Sequence, residues 1–122
     1  MKEISLGAVR YRVVVTEGDG HFVARAERTD TGDRYGIECQ GASANEAADR
    51  LARWLEWQHE HASALEELQG AERAYQRTIA GSAFVSPTEG PTVIEMQKES
   101  LEAVEAARLR LDDIRARRPE TT

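Results

Sequence analysis

Cysteine is almost missing from this chain: Cys39 stands alone among 122 residues, histidine and proline occur three times each, and aromatic residues make up 6%. A lone cysteine forms no intrachain disulfide, which excludes a disulfide-stapled secreted scaffold and fits a reducing compartment. No apolar run approaches the roughly 18 residues that cross a bilayer, and nothing near the start resembles a signal peptide. The expected location is therefore the cytoplasm, with no membrane partner. An excess of positive charge is also missing, since 22 acidic against 16 basic side chains leave a net charge of -6. Binding of free DNA or RNA is disfavoured, because neutralising phosphates needs a basic surface. The C-terminal arginines Arg108, Arg110, Arg115, Arg117 and Arg118 run against this balance. With Asp112 and Asp113 among them, they suit the negative end of a helix dipole better than a phosphate backbone.

What is present is a chain of 40% apolar and 31% charged residues, the size of one domain with a modest core and exposed helices. Three segments alternate with the period of a half-buried strand. Residues 9–15 put Val9, Tyr11, Val13 and Val15 on one side, residues 21–27 put Phe22, Ala24 and Ala26 inward, and residues 34–40 do the same with Tyr35, Ile37 and Cys39. Turn residues around Gly18-Asp19-Gly20 and Gly32 separate them, so the pattern predicts an antiparallel meander of three or four strands, covered on one face and wet on the other.

Past Gly41, Ser43-Ala44-Asn45-Glu46 matches a capping box and opens a helix. No proline follows before Pro87, and the composition favours helix to about residue 79, a length of about 54 Å. Two apolar stripes lie on it. Ala48, Leu51, Leu55, Ala62 and Leu65 are expected on the sheet, while the heptad-spaced Trp54, Trp57, His61, Ala64, Leu68, Ala71, Tyr75 and Thr78 are expected against a second helix. Ser86-Pro87-Thr88-Glu89 predicts a capped turn in the connecting loop. A second capping box, Thr92-Val93-Ile94-Glu95, opens a helix that ends before Pro119, with Val93, Ile94, Leu101, Val104, Ala107, Leu111 and Ile114 at three-four spacing. Folding the hairpin about Ser86 places Tyr75 near Gln97, Leu68 near Val104, His61 near Leu111 and Trp57 near Arg115. The expected organisation is α+β: a sheet with the start of a long helix over residues 1–58, an antiparallel helical hairpin over 59–118, and a frayed tail at 119–122.

Candidates for chemistry are few. His59-Glu60-His61 resembles a metal cluster until it is wound into a helix, where residues two apart project about 200° apart and cannot share one ion. Glu56, Glu60, Glu66, Glu67, Glu95, Glu99, Glu102 and Glu105 are acidic enough for a carboxylate site, but a di-metal bundle needs Glu-x-x-His pairs on facing helices, and the second helix holds no histidine. Charged flanks of a two-helix seam account for them better. Cys39 alternates onto the side of Tyr35 and Ile37 and reads as a buried thiol rather than a nucleophile. The glycines of Gly18-Asp19-Gly20 sit in a hairpin turn, not between a strand and a helix, and make no phosphate cradle. No catalytic, cofactor or metal residue is therefore expected. Binding energy is expected from Trp54, Trp57, His61, Leu68 and Tyr75, as a surface for a second copy or a protein partner. For the two tryptophans the preferred reading is that they staple the base of the hairpin to the sheet, with a dimer or partner surface as the alternative.

Asp19-Gly20-His21-Phe22-Val23-Ala24 opening the second strand, and Gly41-Ala42-Ser43-Ala44-Asn45-Glu46-Ala47 leading from the third into the helix, resemble the HicB-like antitoxin family over roughly residues 8–58. Where members of that family carry Pro-Asp-x-Pro-Gly before the third strand, this chain has residues 27–33. Where full antitoxins carry a DNA-binding module, it has the helical hairpin. The resemblance implies a dimerising, non-catalytic module that binds another protein. Its expected role is that of a small adaptor or antitoxin-like regulator. Two other expectations compete with it: a nucleic-acid regulator using Arg10, Arg12 and Arg25 on the outer sheet face, and an enzyme built at a dimer interface around His21, Cys39 or His61.

Overall fold

A computed structural model describes residues 2–82 and 90–119, with side chains for 2–80 and 94–119. The capped turn expected at residues 86–89 lies outside the described residues. Four strands, β1 (Lys2–Leu6), β2 (Val9–Glu17), β3 (Phe22–Arg28) and β4 (Arg34–Gly41), precede two helices, α1 (Ala44–Ser82) and α2 (Gly90–Ala116). The strands pair in sequence order, each antiparallel to the next. β1 is the strand without a segment of its own in the periodicity. It has only Ile4 and Leu6 on its inner side, and its place comes from pairing, Ile4 with Tyr11 and Leu6 with Val9. α2 starts at Gly90, ahead of the cap expected at Thr92.

The chain divides into two compact units, one running from the sheet to His59 and taking in Arg118, the other spanning Glu60–Arg117. In the first, the inner sheet residues Tyr11, Val13, Ala24, Ala26 and Cys39 form a core with Ala47, Leu51, Trp54 and Leu55 of α1. The helix is started by Ser43, whose Oγ accepts from the Glu46 amide at 3.1 Å. The Glu46 carboxylate turns to Arg50 at 2.7 Å instead, so one half of the expected capping box forms.

Trp54 corrects the division of α1 into two stripes. It was expected against the second helix, yet it belongs to the sheet core, 7% exposed. One turn from Leu51, it falls within an apolar face more than about 100° wide. β4 makes room for it. Ala24 pairs with Cys39 but Ala26 pairs with Tyr35, so extra residues are accommodated on β4, as in a bulge. Within that irregularity Gly36 takes a φ of 77°, and a Cβ there would stand 2.5 Å from Trp54 Cζ3. The indole therefore lies on bare backbone.

In the second unit, Ala64 and Leu68 of α1 and Val104, Ala107, Leu111 and Ile114 of α2 are buried. Polar pairs run along them in opposite directions: Gln97 Nε2 donates to the Thr78 carbonyl at 3.5 Å, Arg110 pairs with Glu67, Arg115 Nε donates to His61 Nε2 at 3.2 Å, and Arg117 meets Glu60 at 3.8 Å. The register differs from expectation. His61 Nε2 accepts from Arg115, which lies about one helical turn beyond Leu111. A slip of one turn returns the same face to the seam, so a three-four repeat does not distinguish the two registers. Ile94 and Leu101, expected in the seam, are 66% and 41% exposed.

Gly36→Ala is expected to cost about 3 kcal/mol, combining left-handed backbone strain with overpacking against the indole. Gly32→Ala has a similar positive φ of 77° but open space around it, and should cost only about 1 kcal/mol. Urea unfolding followed by tryptophan fluorescence, which reports on the sheet unit, measures both.

Candidate functional site

The five side chains expected to bind a partner are divided between the two units. Trp54 is enclosed in the sheet core, its Nε1 buried without an acceptor among the described residues. Trp57 is half-buried beneath Arg118, whose guanidinium carbon lies 5.6 Å from the ring centroid, a cation–π distance. His61 is half-buried beside Arg115, and Leu68 is 8% exposed in the helical seam. Tyr75 borders an open groove of about 230 Å³ with Glu72, Gln76, Leu101, Val104, Glu105 and Arg108. Of the five, Tyr75 lines this groove.

The sheet unit carries a groove that the strand periodicity did not signal. It measures about 520 Å³ and is lined by Val13, Val15 and Ala48, with Lys2 and Asp49 at its edge, 3.7 Å apart. β1 covers β2 only as far as Val13, so residues 14–17 of β2 have no strand beside them on that side among the described residues. A readable β1 was the missing signal, and five residues with two inward apolar side chains carry too little alternation to supply it.

The outer sheet face is a charge mosaic. Register places Glu3 opposite Arg12, Arg12 opposite Glu27 and Glu27 opposite Arg34, one row across all four strands. Arg25 pairs with Glu27 at 3.2 Å and Arg34 with Glu38 at 3.6 Å. At the β3–β4 turn, Arg28 donates two bonds to Asp30, at 3.1 and 2.8 Å. Those bonds hold the Asp30 carboxyl below its usual range, and they fasten the turn that leads into the β4 irregularity.

Groups capable of chemistry are spread out. Cys39 is fully enclosed, and burial pushes its thiol pKa up, with Arg50 pulling weakly the other way. His21 Nδ1 lies 3.1 Å from the Asp19 carbonyl, and the Gly18 amide donates to the His21 carbonyl at 2.8 Å, so this histidine braces its own turn. Glu56-Trp57-Gln58-His59 is a Glu-x-x-His run on α1, but both ends are exposed. Among the described residues no group of three or more His, Cys, Asp or Glu side chains is placed to hold a metal ion, and no helix is long and apolar enough to cross a membrane.

Comparison of the chain with family models, curated proteins and solved structures found no match.

Cys39 yields a pH prediction. Burial raises the folded thiol above its unfolded value, so the folded chain keeps a proton that the unfolded chain loses above about pH 8.5. This contribution is complete below that pH and is lost as pH rises toward the folded value. Urea midpoints should fall from about pH 8.5 upward, and Cys39→Ala should remove that part of the fall. Tyr11, held protonated by burial and by neighbouring Tyr35, should add its own loss only from about pH 10. A thiol reagent should modify Cys39 at the rate at which the sheet unit opens.

Proposed function

We propose that the chain is a non-catalytic protein–protein interaction module of a reducing, cytoplasmic compartment, acting as a homodimer in the manner of a HicB-like adaptor or antitoxin-like regulator. One observation carries this reading. Ile79, Ile94, Met96, Leu101 and Leu109 are 41 to 70% exposed, and all five lie in the helical unit. Four of them are on α2, and apolar side chains concentrated in one unit, rather than scattered singly, mark a surface that another chain covers. The order strand, strand, strand, helix over residues 8–58 supports the HicB-like part, together with the Ser43 cap that opens α1.

The nucleic-acid reading is weaker. Arg12 and Arg25 face carboxylates on the same sheet surface, so the positive field that would gather phosphates is largely cancelled. An enzymatic reading would need a nucleophile paired with a base, and Cys39 is enclosed among apolar neighbours.

Native mass spectrometry of the protein isolated gently from its host tests the proposal. A homodimer, or a dimer carrying an additional protein chain, is expected. A monomer that retards DNA or RNA in a salt-dependent way would replace this reading with the nucleic-acid one.

A further inference from the structure

We propose that α2 is the dimer interface: it pairs antiparallel with α2 of a second copy about a two-fold axis beside Leu101. This rests on the homodimer reading above and specifies its surface.

α2 uses its two sides differently. One side is consumed within the chain, where Val104, Ala107, Leu111 and Ile114 are buried and Arg110, Arg115 and Arg117 are paired with α1. Roughly 140° around the helix, Ile94, Lys98, Leu101, Glu105 and Leu109 form a second stripe at spacings of four, three, four and four. All five are exposed. Lys98 and Glu105 form no ion pair among the described residues, although eight such pairs occur elsewhere in them.

The order along this stripe is apolar, basic, apolar, acidic, apolar. Read backwards, it becomes apolar, acidic, apolar, basic, apolar. Two copies laid antiparallel therefore meet as complements: Ile94 on Leu109 of the second copy, Lys98 on its Glu105, Leu101 across the axis from its own mate, and the same contacts again in reverse. A parallel pairing would instead set lysine against lysine and glutamate against glutamate. The two-fold geometry makes each contact occur twice, as an isologous interface requires. In such a pairing the apolar layers supply affinity and the two exposed ion pairs fix direction and register. Each copy would bring its already closed helical pair, giving a four-helix arrangement.

Sedimentation equilibrium of the full chain, with helix content followed by circular dichroism, tests the interface. Leu101→Glu should raise the dimer dissociation constant at least tenfold without loss of helix, because the residue is 41% exposed and stands at the rim of the seam rather than among its buried residues. Lys98→Glu should weaken the dimer about threefold to tenfold, and Lys98→Glu combined with Glu105→Lys should restore it. Under oxidising conditions Leu101→Cys should cross-link two copies, whereas Leu109→Cys should not, since its mate lies about 22 Å away along the helices. A wild-type chain that stays monomeric at 100 µM, a concentration about tenfold above a 10 µM dimer constant, would overturn both the homodimer reading and this interface. A wild-type dimer that is unaffected by Leu101→Glu and gives no cross-link through Leu101→Cys would overturn the interface alone, leaving a homodimer assembled through another surface.

Discussion

The sheet unit depends on the contact between the Trp54 indole and the bare backbone of Gly36. A long helix docks on a sheet only where its bulkiest side chain finds a depression, and here the depression is made in the backbone. The β4 irregularity, the positive φ of Gly36 and the missing Cβ together create a surface on which a six-membered ring fits. Small residues continue the same solution nearby. Ala24 and Ala26 are fully enclosed on β3, and a Cβ on Gly41 would stand 2.5 Å from the Ala47 amide nitrogen, so the first turn of α1 approaches the end of β4 directly. Large residues on the helix and small ones on the strands interlock, which is how a core of this size reaches interior packing density. The indole N–H is left without an acceptor among the described residues. Such a group costs free energy, and the area that Trp54 buries offsets it.

The helical unit is organised differently. Its apolar seam is narrow, built from Ala64, Leu68, Val104, Ala107, Leu111 and Ile114, and its edges are closed by arginines of α2 reaching to Glu60, His61 and Glu67 of α1. Exposed pairs of this kind contribute little each. Their effect is to select one register among several that the apolar repeat would accept. The seam leaves Ile94, Lys98, Leu101, Glu105 and Leu109 of α2 exposed.

Groups capable of chemistry are dispersed among the described residues. Cys39 is spent in the core, His21 in its turn and His61 in the α1–α2 contact. The side chains with free surface are the apolar residues of the helical unit and the alternating charges of the outer sheet face. Both sets sit on helices and strands rather than on turns.

Much of the secondary structure was legible because alternation and capping are local. The strands at Val9, Phe22 and Arg34, the Ser43 cap and the uninterrupted length of α1 all follow from spacings of a few residues. β1 was not legible, since two inward apolar residues define no period until β2 is beside them. The place of Trp54 was legible only in part: the preferred reading set it at the base of the hairpin against the sheet, but its heptad spacing to Trp57 and His61 assigned it to the helical stripe, and the depression at Gly36 exists only once β3 and β4 have paired. The same holds for the surface: Ile94 and Leu101 share the period of the seam and were assigned to it. The sequence by itself determined which segments are strand and which are helix, through short-range periodicity and backbone capping. Tertiary structure alone decided which apolar face meets which neighbour and in what register, because a helix shifted by one turn presents the same pattern and only packing and ion pairs between distant residues distinguish the alternatives.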